Sequence, residues 1–291
     1  MLAGVVRLGW ELTPYSAQRD ARITALPQYR RPERSDGNTR PIRTAWQRAS
    51  YHGGMPVVTV AATKGGVGKT TLAYEIAAAT DGVLVDLDWD SGGATRMWGY
   101  DPGAYRTSPL LDALETGPGG LPPRPKKRAH QPDLVPASPD LAASRIPDSL
   151  VADCLAAWAK GWEDRFVVVD THPGANPLTD GAMQVADLVV VPVILGAREL
   201  DALEGMLRDF GGYRLMLVPN MVPPSPPRRL VERLAVLAAD TPVGPPVSEH
   251  RWIRRRVRRA ALCLQPNPGR AVVKAAGEFR QLAAAIETAC G

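Results

Sequence analysis

At 291 residues with 45% hydrophobic side chains, the chain can bury a proper core as one large α/β domain with an extension, or as two small domains. Its net charge of +5 and pI near 9.3 admit an anionic partner without requiring one. Cys154, Cys263 and Cys290 are too widely spaced for a disulfide framework or a metal-ligand pattern, and no apolar run reaches membrane-span length, which points to a reducing cytoplasm.

Residues 1 to 52 read as a basic, flexible extension. The stretch Arg30 to Asn38 is polar and turn-rich without apolar periodicity, and only Pro41 to Ser50 could form a short helix. Glu11, Arg19 and Asp20 interrupt anything resembling a secretory core. Residues 53 to 291 read as the folded domain. Val57 to Ala62 is an apolar run that predicts a buried strand. Lys64-Gly65-Gly66-Val67-Gly68-Lys69-Thr70-Thr71 follows, then an alanine-rich helix to Ala79 that Gly82 ends. A glycine loop between strand and helix wraps backbone N–H groups around a phosphate chain and aims a helix N-terminus at it. The general phosphate-loop pattern lays over Thr63 to Thr70, with Thr63 where its first glycine belongs.

Val83 to Asp88 predicts a second buried strand, whose carboxyl end carries Asp86 and Asp88 beside the loop. Gly117 to Gln131, with Arg124, Lys126, Lys127 and Arg128, reads as a solvated loop. Asp133 to Ser138 is a strand and turn, and Asp148 to Lys160 an amphipathic helix. Arg165 to Asp170 is an apolar strand ending in an aspartate, the pattern of a carboxylate that holds the hydration shell of Mg²⁺. His172, in the loop after it, reads as structural. Asp187 to Val193 and Leu215 to Asn220 are further strands, and helices are predicted over Glu199 to Phe210, Arg229 to Ala238 and Ala271 to Cys290. Continuous Val/Leu strands alternating with helices predict a doubly wound, mostly parallel α/β sheet covered on both faces.

His250 to Arg259 holds six arginines and no acid. As a regular helix it would place Arg251, Arg254, Arg255 and Arg258 on one face, with Ile253, Val257 and Ala260 opposite, an anion-binding surface anchored to the core.

With its second lysine, the segment Lys64 to Thr71 resembles the deviant phosphate loop of the ParA/MinD family of ATPases, and the chain resembles ParA/Soj-type partition ATPases from there onward. Asp86 to Thr95 resembles that family's second acidic motif, with Trp89-Asp90 in place of Pro-Gln. Thr171-His172-Pro173 keeps one of the two prolines that follow the strand's aspartate. The resemblance implies ATP and Mg²⁺: Gly65 to Thr71 cradle the phosphates, Lys69 grips the β/γ oxygens, and Thr70, Asp86 and Asp170 serve the metal. It further implies that Asp88 orients the attacking water, that Asn220 contacts adenine, and that Lys64 reaches a partner's nucleotide across an ATP-dependent homodimer. It also implies non-specific DNA as a partner, a small ParB-like adaptor that stimulates hydrolysis, and a cytoplasmic, nucleoid-associated location. A MinD-like, membrane-associated positioning ATPase is the alternative, which the acid-containing tail with Glu278 and Glu287 disfavours.

Overall fold

The computed structural model describes residues 55–90, 93–101, 109–162, 165–239, 241–256 and 260–291. The expected extension, residues 1 to 52, lies outside them. Six strands form one sheet: β1 (Val57–Val60), β2 (Val83–Asp86), β3 (Asp133–Val135), β4 (Val167–Asp170), β5 (Leu188–Val193) and β6 (Leu215–Pro219). Their order is β3-β2-β4-β1-β5-β6, and every neighbouring pair is parallel. The sheet is therefore parallel throughout, as the unbroken valine and leucine runs require.

Side chains alternate across the sheet with period two. Val58, Val60, Leu84, Val168 and Val190 face one layer, built from α1 (Lys69–Ala79), α2 (Ala94–Trp98) and α8 (Arg270–Cys290). Val57, Val83, Val85, Val167 and Val169 face α3 (Pro109–Thr116), α4 (Asp148–Gly161) and α5 (Pro177–Val185) on the other side. Farther along that side, Val189, Val191, Leu215 and Leu217 pack on α6 (Ala197–Asp209) and α7 (Arg228–Ala238). In α8, Ala275, Phe279, Leu282 and Ile286 are buried in the first layer, so this helix closes the domain. No helix among the described residues is long and apolar enough to cross a membrane.

Several boundaries differ from the sequence reading. Helix α1 begins at Lys69, because Gly68 in the left-handed region (φ 92°) turns the chain directly into it. It is Asp81 (φ 50°), one residue before Gly82, that takes the left-handed stop, and the Gly82 amide then closes back on the Ala77 carbonyl at 2.8 Å. Helices α2, α3 and α5 had no counterpart in the sequence reading. For α5 the signals were present: Asn176 accepts a hydrogen bond from the Thr179 amide (2.9 Å) and Pro177 fills the first turn.

The largest correction concerns residues 250 to 256, the described part of the arginine segment. In place of a regular helix, Ile253–Arg255 makes a single 3-10 turn and Arg256 is extended (φ −61°, ψ 126°). The reason is a buried acid elsewhere: Glu75 of α1 has no solvent exposure and takes Arg256 Nη1 at 3.1 Å. Leaving a carboxylate unpaired in the core costs several kcal/mol, by order of magnitude, and outweighs the small preference for continuing a helix.

Candidate functional site

The loop between β1 and α1 is shaped by two glycines in the left-handed region, Gly66 (φ 77°) and Gly68 (φ 92°). At Gly68 a side chain is also barred by space, since a Cβ would lie 2.4 Å from Asn220 Nδ2. Asn220, just past β6 and 4% exposed, donates from Nδ2 to the Val67 carbonyl at 2.7 Å. Its amide side chain therefore braces the loop through Val67. Gly65 and Gly66 are exposed, Thr70 and Thr71 half-buried, and no side chain caps the first turn of α1. The uncapped N–H groups of that turn are free to meet an anion.

Three carboxylates converge on this turn from the carboxyl ends of neighbouring strands. Asp86 of β2 and Asp170 of β4 are paired in register, and Asp170 is in turn level with Val60 of β1. Asp86 is fully buried and already engaged: Oδ2 accepts from the Thr95 amide and hydroxyl, both at 2.6 Å, and Oδ1 from the Asp88 amide at 3.0 Å. It thus folds the loop that follows it. Thr95, which sequence reading did not single out, has no local signal, because its role comes from this contact across nine residues. Burial pushes Asp86 up to about 7, against the pull of the Thr95 bonds.

Asp170 differs. It is fully buried, and neither oxygen has a partner at full hydrogen-bond geometry, although the Thr70 hydroxyl is near enough to pull on the carboxyl as a donor. Burial, with the charge of Asp86 added, holds its carboxyl well above the usual carboxylate range. Asp88, 8% exposed, is raised by burial and restrained by the Asp90 amide (3.1 Å to Oδ1), His172 and Lys69. Lys69, 6% exposed, is lowered by burial against the charges of Asp170 and Asp88. One ammonium thus faces Asp170 and Asp88, with Asp86 crowding Asp170 from the neighbouring strand. That arrangement fits a hydrated divalent cation beside Asp170 and Thr70, with the phosphates it would accompany over the α1 N-terminus.

Not every expected residue joins this cluster. Lys64 points to α6, where Nζ donates to the Arg198 carbonyl at 3.0 Å. His172 is stacked on Trp89 (ring centroids 4.1 Å apart, planes 6° from parallel) and its Nε2 lies 3.2 Å from Asp90 Oδ2. Outside this cluster, Arg251 is exposed with Glu249 at 3.3 Å, and Arg255 is exposed. The side chain of Arg254 and all of Arg258 lie outside what is described.

Comparison with known proteins bears on this site. A family described as an AAA domain matches residues 55–216. A chromosome partitioning protein ParA of Caulobacter vibrioides is 29% identical over 179 residues, covering 57% of this chain and 66% of that protein. The chromosome-partitioning ATPase Soj of Thermus thermophilus is 34% identical over 173 residues, covering 56% and 65%. The chain thus spans just under two thirds of these relatives' lengths. Among solved structures, the septum site-determining protein MinD of Pyrococcus horikoshii, complexed with Mg-ADP, superposes with a TM-score of 0.61 at 17% identity, over 81% of this chain and 98% of that one.

Proposed function

Since the chain belongs to the ParA/MinD family of P-loop ATPases, we propose that it is a ParA-like ATPase that dimerises on ATP, grips DNA without sequence preference and positions plasmid or chromosome cargo. The observation that carries this reading is the pairing of an uncapped, glycine-turned helix N-terminus with a buried Asp170 that has no fully formed hydrogen bond and the Thr70 hydroxyl close by. The Gly65 to Thr71 amides bind the phosphates, and Lys69 steadies the β/γ oxygens from its buried position. Thr70 and Asp170 would hold Mg²⁺, with Asp86 fixing the adjoining loop. Bound there, Mg²⁺ supplies charge neutralisation on the phosphoryl oxygens. Asp88 orients the attacking water, and Lys64 serves the partner's site in the dimer.

The DNA reading draws on the acid-free arginine segment: each phosphate neutralised releases counterions, and two copies held by ATP would bind far more tightly than one. A small ParB-like protein as stimulator of hydrolysis, and a cytoplasmic, nucleoid-associated location, complete the proposal. The burial of the apolar face of α8 in the core speaks against the MinD-like membrane alternative.

ATP turnover tests the site directly. Lys69→Ala is expected to fold normally yet lose ATP binding and hydrolysis, measured by a phosphate-release assay beside nucleotide-binding titration. Parental turnover in that variant would remove Lys69 from the site.

A further inference from the structure

Two basic segments more than 120 residues apart meet in the fold. The first lies between Glu115 and Asp133 and contains Arg124, Lys126, Lys127 and Arg128 with no acidic residue; the second is the arginine segment 251 to 259. Together they hold ten of the chain's 35 Lys and Arg residues.

The first segment is not the plain solvated loop its sequence predicts. Lys126 and Leu134 exchange both backbone hydrogen bonds (2.7 and 3.0 Å), making a small antiparallel hairpin on the outer edge of β3. Its turn is closed by the Gln131 amide on the Arg128 carbonyl (3.3 Å) and contains His130 in the left-handed region (φ 63°). Arg128 is held in place by the Trp98 ring, 4.6 Å from guanidinium to centroid, and donates to the Trp98 carbonyl at 3.3 Å. The His130 carbonyl then accepts the Ala261 amide at 2.8 Å. Ala261 lies two residues past the arginine segment, and Arg256 within the segment and the Leu262 amide beyond it both bind Glu75. Both basic runs are therefore anchored near one place by backbone and buried contacts. Arg124, Lys127, Arg128, Arg251 and Arg255 are exposed. Asp133 pairs with Lys127 (3.2 Å), but also with Arg165 (2.7 Å), and the Lys127 side chain remains 74% exposed.

Position supports a separate role. The hairpin turn precedes the amino end of β3, and in an all-parallel sheet that edge lies opposite the carboxyl ends where the phosphate loop sits. A long polyanion could thus lie on this surface without crossing the nucleotide site or a dimer face built over it.

We infer that the hairpin 124–131 and the described part of the arginine segment form one composite surface for the phosphate backbone of duplex DNA, the hairpin supplying Arg124, Lys127 and Arg128 and the segment Arg251 and Arg255. The inference rests on the DNA-binding reading above and extends it to a second, distant piece of chain. Side chains of this type on a fixed scaffold position a protein on the backbone without reading bases.

The test is anisotropy titration of a random-sequence duplex with ATP and Mg²⁺ across a salt series. It compares the full-length parent, Arg124→Gln/Lys127→Gln, Arg251→Gln/Arg255→Gln, and a chain lacking residues 1 to 52. Arg128 is kept in the hairpin double variant because its stack on Trp98 helps hold α2; Arg128→Lys is examined separately. The hairpin variant is expected to retain ATPase activity and to bind duplex with a log–log salt slope shallower by about 0.9 per lost contact, near 1.8 for the pair. The arginine-segment variant should lose slope in the same way. If the hairpin variant matches the parent while the arginine-segment variant is impaired, the hairpin inference is overturned and the DNA reading stands. Binding lost solely on removing residues 1 to 52 overturns the placement of the surface. A parent that binds no duplex at low salt sinks the DNA reading and this inference with it. A parent that ignores duplex but binds phosphatidylglycerol vesicles assigns the surface to a membrane instead.

Discussion

Glu75 sits on α1 with no solvent exposure, six residues beyond Lys69. Burial pushes its carboxyl from 4.5 up to about 7, against the pull of Arg256, the Leu262 amide and Cys263. Desolvation therefore outweighs the ion pair, as is common for buried charges. An acid whose folded pKa is raised favours the folded state most below its unfolded value, and that contribution is lost as pH rises through the folded value. The window here runs from 4.5 to about 7, and the raised pKa corresponds to ~3 kcal/mol across it. Glu75→Gln cannot titrate. Chemical denaturation at pH 5 and pH 8 should find the parent losing up to ~3 kcal/mol relative to Glu75→Gln between the two. Equal pH dependence in both proteins would show that Glu75 stays ionised throughout.

Two loops at the carboxyl edge of the sheet behave as one element. The Leu87 amide donates to the Asp170 carbonyl (2.9 Å), Trp89 stacks on His172, and His172 reaches Asp90. Asp88 lies between these clasping points, so the loop that carries it is fixed to the loop that follows Asp170. The two departures from the family pattern, Trp89-Asp90 and His172, are thus complementary: each supplies one half of a ring stack. An aromatic stack contributes about 0.5–1.5 kcal/mol. Trp89→Ala is accordingly expected to lower kcat for ATP by about 2- to 10-fold with little change in KM, and Trp89→Phe to recover most of the loss. A kcat unchanged in Trp89→Ala would mean that the clasp does not hold Asp88 in its working position.

At the scale of the whole molecule, the extra lysine of the loop stands apart from the carboxylate cluster. Lys64 Nζ is parked on the Arg198 carbonyl, while Lys69 faces Asp170 and Asp88. The carbonyl contact is a single half-exposed hydrogen bond, worth about 1 kcal/mol, and easily exchanged for a phosphate. Lys64→Ala should therefore keep ATP affinity within about threefold of the parent, since it leaves the phosphate cradle intact. It should nevertheless remain monomeric with ATP in light-scattering chromatography under conditions where the parent dimerises. Dimerisation equal to the parent's would place the lysine's role within its own chain.

The central strands and the phosphate loop could be read from the chain because their signals are local. Runs of valine closed by an aspartate, and glycines set two apart before Lys69, dictate strand, turn and helix within a dozen residues. Helix α5, with its Asn176 cap and Pro177, was equally local and was passed over. The extension, residues 1 to 52, remains an expectation. Tertiary structure alone decided the rest. Asn220 supports Val67 from 153 residues away, and Arg256 reaches Glu75 across 181, straightening a segment whose own composition favours a helix. The same contacts set Ala261 against His130 and so bring two basic runs to one edge of the sheet. A buried acid or amide must find its partner wherever the fold brings one, and that requirement, worth more than local propensity, leaves no trace in the neighbouring sequence.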